Sequence, residues 1–199
     1  MSDARRDATR DATHGTTWVF GYGSLVAPTS IARTIGRPVV RHDGFAAARL
    51  HGYGRRWNYG SIHQRGDWHG PHGYVQQGVV VSLGLEASGS STCNGAVVRV
   101  TDDELAHLDW RERDYERTDV TELVEADVPT GVPIERVVTY VPRPSAIERY
   151  RAARDDLRAA IRRSYVELVH GAFVALGGEH ADEYLRGTPD PDVPVIDFA

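Results

Sequence analysis

Residues 18–25 read WVFGYGSL, an apolar strand that runs directly into a glycine-bracketed turn. Glycines on both sides of Tyr22 allow the backbone to bend sharply and leave amide N–H groups uncovered by side chains. Pro28 and Thr29 follow and open a predicted helix that ends at Gly36. A turn of this kind ahead of a helix is suited to bind an anionic or carbonyl oxygen. The sequence therefore predicts a binding loop near the N-terminus, whose reactive partner must come from elsewhere in the chain.

Length and composition limit the class of protein. The chain has 199 residues, of which 41% are hydrophobic, enough for one globular domain with a core. We expect residues 1–16 to be a flexible tail and residues 17–199 to form the single domain. The formal net charge of −5 argues against a nucleic-acid partner. The sequence also has no apolar stretch of about 18 residues, so we expect no membrane partner.

Cysteine usage indicates the compartment. Cys93 is the one cysteine of the chain, which excludes an internal disulfide and fits a reducing environment. We therefore expect a cytoplasmic protein. The sequence does not fix the oligomeric state, for which a homodimer is one option.

Strand patterns outnumber helix patterns along the chain. Compact apolar or alternating runs predict strands at residues 79–83, 95–100, 120–126 and 135–141. The segment between Gly52 and Gly78, rich in glycine, histidine and aromatic residues, has little periodicity and is predicted to be mostly loop. Because strands and helices are not interleaved one for one, the pattern predicts an α+β fold. We expect a mixed, barrel-like β-sheet flanked by helices.

Two capping boxes predict helix starts. Thr101 and Glu104 begin a short helix that extends to about Asp109, and Ser145 and Glu148 begin a longer one. In the longer helix, apolar residues recur every three or four positions as far as Ala172, which is typical of one continuous amphipathic helix. It is predicted to end at residues 177–178.

A candidate acid–base residue follows the short helix. Residues 108–115 read LDWRERDY, and in this segment Glu112 stands close to Trp110 and Tyr115. Aromatic neighbours partly desolvate a carboxylate and raise its pKa towards neutrality. Such a group serves first as a general base and then as a general acid. A surface cluster of ion pairs is the alternative interpretation of the same charged residues.

The two segments together resemble the γ-glutamylcyclotransferase-like superfamily. Its members carry a Tyr-Gly-Ser loop after the first strand, like residues 20–25 here, and a later Leu-Asp-x-x-Glu segment, like residues 108–112. Residues 52–57, GYGRRW, are similar to an Arg-Arg-aromatic segment of the glutathione-specific, ChaC-type branch. Residues 164–168, SYVEL, are similar to a C-terminal helix that supplies a site tyrosine. The resemblance extends from about Trp18 to Gly187.

The resemblance implies a γ-glutamylcyclotransferase, an enzyme of intramolecular acyl transfer. A γ-glutamyl compound, such as glutathione, a γ-glutamyl amino acid or a γ-glutamylamine, would cyclise to 5-oxoproline and release its amine. Glu112 would be the catalytic acid–base residue. No metal or organic cofactor is implied, because nucleophile and electrophile belong to one molecule. The substrate-binding residues implied are Tyr22, Gly23, Ser24, Leu25, Arg55, Tyr115 and Tyr165.

Two other classes of function stay open at this point. The first is a non-catalytic module that binds a small ligand or a protein, in which Arg111 or Arg113 would hold Glu112 away from the loop. The second is a metal-dependent hydrolase that uses a histidine-rich segment. Its four candidate ligands are His63, Asp67, His69 and His72. Their spacing matches no established metal site, so a mobile polar loop or lid is the preferred interpretation of this segment. Arg55 has a surface ion pair as its alternative role, and Tyr22 and Tyr165 have core packing.

Overall fold

The computed structural model describes residues 17–41, 44–70, 73–129 and 131–197, so the predicted tail at residues 1–16 lies outside the described part of the chain. Its strands are β1 (Thr17–Gly21), β2 (Phe45–Gly70), β3 (Gly73–Val100), β4 (Tyr115–Asp119), β5 (Val124–Ala126), β6 (Arg136–Pro142), β7 (Ala159–Arg162) and β8 (Val195–Ile196). Its helices are α1 (Pro28–Ile35), α2 (Asp102–Arg111), α3 (Pro144–Asp155), α4 (Arg163–Leu176) and α5 (Gly178–Gly187).

The strands form one mixed sheet in the order β4-β6-β1-β3-β2-β5, with β7 paired to β3 and β8 to β7. β1 runs antiparallel to β3 and parallel to β6, and all five of its residues are buried. The predicted α+β class, with a mixed, barrel-like sheet flanked by helices, is confirmed. The loop after β1 therefore starts in the interior of the sheet, because β3 and β6 flank the strand that precedes it.

The prediction that the segment between Gly52 and Gly78 is mostly loop is wrong. This segment belongs to the long antiparallel hairpin of β2 and β3, whose register shifts at four places. Each bulge bends the ribbon and interrupts the alternation of inward and outward side chains, which conceals the strand period. Trp68 packs so closely on Gly78 that an added Cβ would lie 2.0 Å from its ring.

The single long helix predicted after Ser145 is also wrong. α3 ends at Asp155, and Leu157 then adopts a positive φ of 60°, a left-handed conformation that a right-handed helix does not admit. β7 follows and pairs in parallel with residues 79–81 of β3 before α4 begins. The apolar spacing of three to four residues continues across this break by coincidence, since each of the three elements buries its own apolar residues.

The two predicted capping boxes have opposite outcomes. At α2 the Thr101 hydroxyl accepts from the amide of Glu104 at 3.3 Å, and the Glu104 carboxylate accepts from the amide of Thr101 at 2.9 Å. At α3 no such box forms, because the helix begins at Pro144 with Arg143 as its N-cap, two residues before the predicted N-cap Ser145. Proline is already suited to the first helical position and needs no amide acceptor there.

Three of the four predicted strands correspond closely to strands of the sheet. Residues 79–83 and 95–100 are both parts of β3, and residues 135–141 correspond to β6. The fourth, at 120–126, is mostly a turn, and only its end forms β5. None of the described helices combines the length and the apolar character needed to cross a bilayer.

Candidate active site

The loop after β1 turns back on itself immediately. A short 3-10 turn, Ser24–Val26, follows the strand, and the Val26 amide donates to the Gly23 carbonyl at 2.9 Å. A Cβ on Gly21 would lie 2.6 Å from the Cβ of Leu25, so glycine is required for this close approach. The first amides of a helical turn have no acceptor within the turn. The N–H groups of Ser24 and Leu25 are therefore suited to bind a ligand oxygen.

Glu112 reaches this loop from the C-terminal end of α2. Its amide still donates to Leu108 at 2.8 Å, so the helix fixes the point from which the side chain departs. The carboxylate lines a recess of about 30 Å³ together with the loop. The other residues around the recess are Tyr22, Gly23, Ser24, Leu25, Leu83, Tyr115, Tyr140 and Tyr165.

The recess adjoins a larger cleft. The two spaces share Ser24, Glu112, Tyr115 and Tyr165, and the outer cleft has a volume of about 370 Å³. The cleft extends outwards past polar residues of the hairpin and of the β7–α4 junction. A molecule that occupied the cleft would thus have one end at Glu112 and the loop.

Burial and a neighbouring cation act on Glu112 in opposite directions. Its side chain is 14% exposed, and this desolvation raises the pKa of the carboxyl above its ordinary value of 4.5. The guanidinium of Arg111, 2.8 Å away, lowers the pKa and offsets part of the rise. A carboxyl with a raised pKa both accepts and returns a proton readily near neutral pH.

Arg111 ties the carboxylate to the loop. It donates to the Ser24 hydroxyl at 2.8 Å, and on α1 to the Ser30 carbonyl and the Thr34 hydroxyl, both at 3.0 Å. The ion pair that a non-catalytic module would need is thus present. The second feature of that alternative is not met, because Glu112 lines the same recess as the loop and shares the Arg111 guanidinium with Ser24.

Two tyrosines are held by one residue of β3. Tyr115 donates to the carbonyl of Leu83, and the amide of Leu83 donates to the hydroxyl of Tyr165, both at 3.3 Å. Burial raises the pKa of both phenols above their ordinary range, so they stay protonated at neutral pH. They form a wall of the recess with fixed hydroxyl positions. Tyr22 uses its own hydroxyl to donate to the Tyr140 carbonyl at 2.7 Å.

A family model of ChaC-like proteins matches residues 17–161. The chain belongs to the ChaC-like family.

Solved structures share the fold. YkqA from Bacillus subtilis superposes with a TM-score of 0.53 at 17% identity, over 86% of this chain and 54% of that one. A structure described as a gamma-glutamyl cyclotransferase gives 0.52 at 15% identity, over 88% and 90% of the two chains. An uncharacterized protein from Homo sapiens gives 0.51 at 16% identity, over 88% and 89%. No curated protein matches the sequence.

Arg55 of the ChaC-like chain does not line the recess or the cleft. It is 1% exposed and lies beneath the loop, where its Nε donates to the Tyr22 carbonyl at 2.8 Å. In this position Arg55 is not at the surface, so the alternative of a surface ion pair does not hold, and a role in substrate binding would have to act through the loop. Arg56, the next residue, does form a surface pair, with Glu86 at 3.1 Å.

The histidine-rich segment is part of the paired hairpin and not a polar loop. Asp67 is engaged within the hairpin, where it accepts from the Gln77 amide at 2.7 Å and from the Tyr74 hydroxyl at 3.1 Å. Across the described ranges, no three His, Cys, Asp or Glu side chains gather as a metal site would require. His72 lies outside those ranges. Gln64 of the same segment lines the outer cleft.

Sequence reasoning did not identify three members of the site. Arg111 was visible beside Glu112, but only as the partner in an ion pair. Leu83 contributes its backbone N–H and C=O, which residue type does not reveal. Tyr140 lies on a predicted strand, and its place at the recess depends on the pairing of β6 with β1.

Proposed function

We propose that this ChaC-like protein is a γ-glutamylcyclotransferase, which converts a γ-glutamyl compound to 5-oxoproline and releases the amine. The observation that supports this most strongly is the shared recess, which Glu112 lines together with the loop residues 22–25. One end of the recess thus offers a base and another offers N–H donors, and cyclisation of a γ-glutamyl group needs both.

The two volumes suit a folded substrate. A recess of about 30 Å³ holds one small polar group, such as the carbonyl oxygen that reacts. The cleft of about 370 Å³ takes the rest of the molecule. When the α-amine is held against the γ-carbonyl, the reaction is intramolecular, and such geometry is worth effective molarities on the order of 10⁵–10⁸ M.

In this reaction Glu112 would act first as a general base and then as a general acid. The ionised carboxylate takes a proton from the α-ammonium group, and the amine nitrogen then attacks the γ-carbonyl carbon to form the ring C–N bond. The protonated carboxyl next gives that proton to the nitrogen of the leaving amine, and the original amide C–N bond breaks. The ring nitrogen still carries one proton more than a lactam retains; the regenerated carboxylate takes this proton and passes it to the released amine, which leaves as an ammonium ion. No net proton and no water are consumed.

The loop would stabilise the negative charge that develops on the carbonyl oxygen between these two steps. The N–H groups of Gly23, Ser24 and Leu25 are the candidate donors. Loss of one donor at such a site typically costs about 10²–10³ in rate. Tyr115 and Tyr165 would shape the pocket around the curled glutamyl chain, since their hydroxyls are fixed by Leu83.

The charge of the outer cleft bears on the leaving group. Arg162 and the Arg111–Glu112 ion pair line it, beside serine, glutamine and tyrosine side chains, so the formal charge of these lining residues is positive. Positive charge at this position favours a leaving amine that carries a carboxylate. We therefore expect glutathione or γ-glutamyl amino acids to be better substrates than simple γ-glutamylamines.

The test is release of 5-oxoproline from a panel of glutathione, γ-glutamyl amino acids and γ-glutamylamines. Glu112→Gln should keep the fold and lose the activity, and Glu116→Gln, at an exposed position on β4, should keep both. Wild-type turnover in Glu112→Gln would eliminate the proposed role of this residue.

A non-catalytic binding module is the second candidate, favoured by the Arg111–Glu112 ion pair. It predicts that γ-glutamyl compounds bind, as measured by calorimetry, without any release of 5-oxoproline. The same panel therefore separates the two candidates.

A further inference from the structure

Arg55 is a buried cation directly beneath the binding loop. Its guanidinium lies against the stacked rings of Phe173 and Tyr184, 4.9 Å from each ring centre, and the residue is 1% exposed. A buried charge is costly unless hydrogen bonds replace its lost hydration. The hydrogen-bond partners of this guanidinium therefore indicate which part of the structure it holds in place.

These partners are oxygens of three separate segments. Nε donates to the Tyr22 carbonyl at 2.8 Å, and Nη1 donates to the Thr188 hydroxyl at 3.0 Å. Nη2 donates to the carbonyl of Asn94 and, at 3.2 Å, to its side-chain oxygen. The described residues place carbonyl, amide and hydroxyl oxygens at the guanidinium, and no carboxylate. Its positive charge therefore acts on neutral dipoles, and one of these belongs to the loop.

The bond to Tyr22 also sets the direction of the next amide. The described residues contain no cis peptide bond, so the Tyr22 C=O and the Gly23 N–H point in opposite directions across one rigid plane. Arg55 holds the oxygen side of this plane and does not line the recess. Gly23 does line it, as does Glu112. A charged donor on the carbonyl also polarises the peptide and strengthens its N–H as a donor.

We propose that Arg55 is a positioning residue that fixes the Tyr22–Gly23 peptide, so that the Gly23 N–H faces the recess and stabilises a substrate oxyanion. The catalytic half of this inference rests on the proposed function, whereas the orientation of the amide does not. Arg55 acts from outside the site, through the backbone alone.

Arg55→Met and Arg55→Lys test the inference, with Thr188→Val as the matched control. Thr188→Val removes one hydrogen bond to Arg55 but leaves the bond to Tyr22 in place. In ¹⁵N-labelled protein without ligand, we expect the Gly23 amide resonance to shift or broaden in Arg55→Met and to stay close to its wild-type position in Thr188→Val. Arg55→Lys should lie between the two, because an ammonium can still donate to the Tyr22 carbonyl.

Kinetics supply a second readout, measured below the melting temperature of each variant. With the substrate that the wild type turns over best, Arg55→Met should lower kcat by about 10²-fold while KM changes little, since an oxyanion donor acts mainly in the transition state. Arg55→Lys should recover part of the loss. A residue that served stability alone would lower the melting temperature without this separation of kcat from KM.

Three results would overturn the inference. One is an unchanged Gly23 resonance in Arg55→Met or, if that variant does not fold, in Arg55→Lys. Another is an equal loss of kcat in Thr188→Val, which would indicate general loosening. The third is a fully active Arg55→Met. If the wild type releases no 5-oxoproline, the proposed function fails, and the Gly23 resonance alone decides whether Arg55 orients the amide.

Discussion

The guanidinium of Arg111 lies 2.8 Å from Oε1 of Glu112, its neighbour in sequence. The same guanidinium donates to Ser24 in the loop across the recess. One side chain therefore lowers the pKa of the candidate base and also contacts the loop whose N–H groups are the candidate donors. Changes at Arg111 should be visible in the pH dependence of the reaction as well as in its rate.

We expect Arg111→Met to move the acid limb of the kcat/KM profile to higher pH. Glu112 must be ionised to accept a proton, and its pKa is already raised by burial. Arg111 lowers that pKa, so its removal raises it further and a more alkaline solution is needed to ionise the base. The measurement is 5-oxoproline release across the pH range with saturating and limiting substrate.

Thr34→Val is the control for this shift, since Thr34 bonds to Arg111 from α1, at a distance from the carboxylate. Its acid limb should stay at the wild-type pH. An acid limb that does not move in Arg111→Met would mean that Glu112 is not the group whose ionisation limits the rate.

We expect Gly23→Ala to reduce activity by at least about 10²-fold, because the recess has no space for a methyl group. The added Cβ would lie 2.8 Å from the hydroxyl of Tyr165, which the Leu83 amide holds in place. Tyr165→Phe removes that oxygen, so the loss of thermal stability caused by Gly23→Ala should be smaller in the double variant. Melting curves of the four proteins measure this coupling.

Gly171→Ala is a suitable control, because it lies on the exposed side of α4 and its added Cβ would meet nothing within 4 Å. It should keep its activity and gain about 0.5–1 kcal/mol in the free energy of unfolding, as alanine does over glycine in a helix. Full activity in Gly23→Ala would show that substrate does not enter the recess.

We expect Glu104→Gln to lower the free energy of unfolding by about 1 kcal/mol at neutral pH. Burial raises the pKa of Glu104, but the 2.6 Å bond from Arg37 and the amide of Thr101 lower it more, and the net shift is downward. A lowered pKa in the folded state stabilises the protein above the unfolded pKa, and this contribution is lost as pH falls through the folded value.

Urea denaturation of the wild type and of Glu104→Gln should therefore converge as the solution is acidified. Glutamine keeps the capping hydrogen bond to Thr101, so the difference isolates the charged pair with Arg37. Glu104→Ala, which removes both interactions, should lose more stability and retain part of its deficit in acid. A difference that is independent of pH would assign the effect to the cap alone.

We expect chelation to leave 5-oxoproline release unchanged. The histidine-rich segment is a strand of the hairpin, and its Asp67 oxygens already accept hydrogen bonds from Gln77 and Tyr74. The measurement compares the rate before and after dialysis against a chelator, together with a His63→Ala/His69→Ala variant. A loss of activity that added zinc restores would favour the metal-dependent hydrolase instead.

Features that depend on adjacent residues could be predicted from the sequence. The capping box at Thr101 and the end of α1 at Gly36, which has a φ of 77°, are decided by neighbours a few positions away. The loop at residues 20–25 and the glutamate at position 112 were also visible as local patterns. The structure brings these two segments to one recess.

Features that depend on distant residues could not be predicted. Arg55 is charged, so its residue type favours the surface. Its burial depends on oxygen acceptors from the distant residues Asn94 and Thr188. The break between α3 and α4 depends on the parallel pairing of β7 with β3, which the apolar period across the break conceals. In the hairpin, the bulges that hide the strand period arise from the pairing of β2 with β3, which also joins residues far apart in the sequence.

The contact between Arg55 and Thr188 has a consequence for biosynthesis. The two residues are 133 positions apart, so during translation this acceptor of the guanidinium is synthesised long after the arginine itself. The stacked Phe173 and Tyr184 rings that pack against it are also synthesised late. A nascent chain can therefore complete the burial of this cation only when most of the polypeptide has emerged.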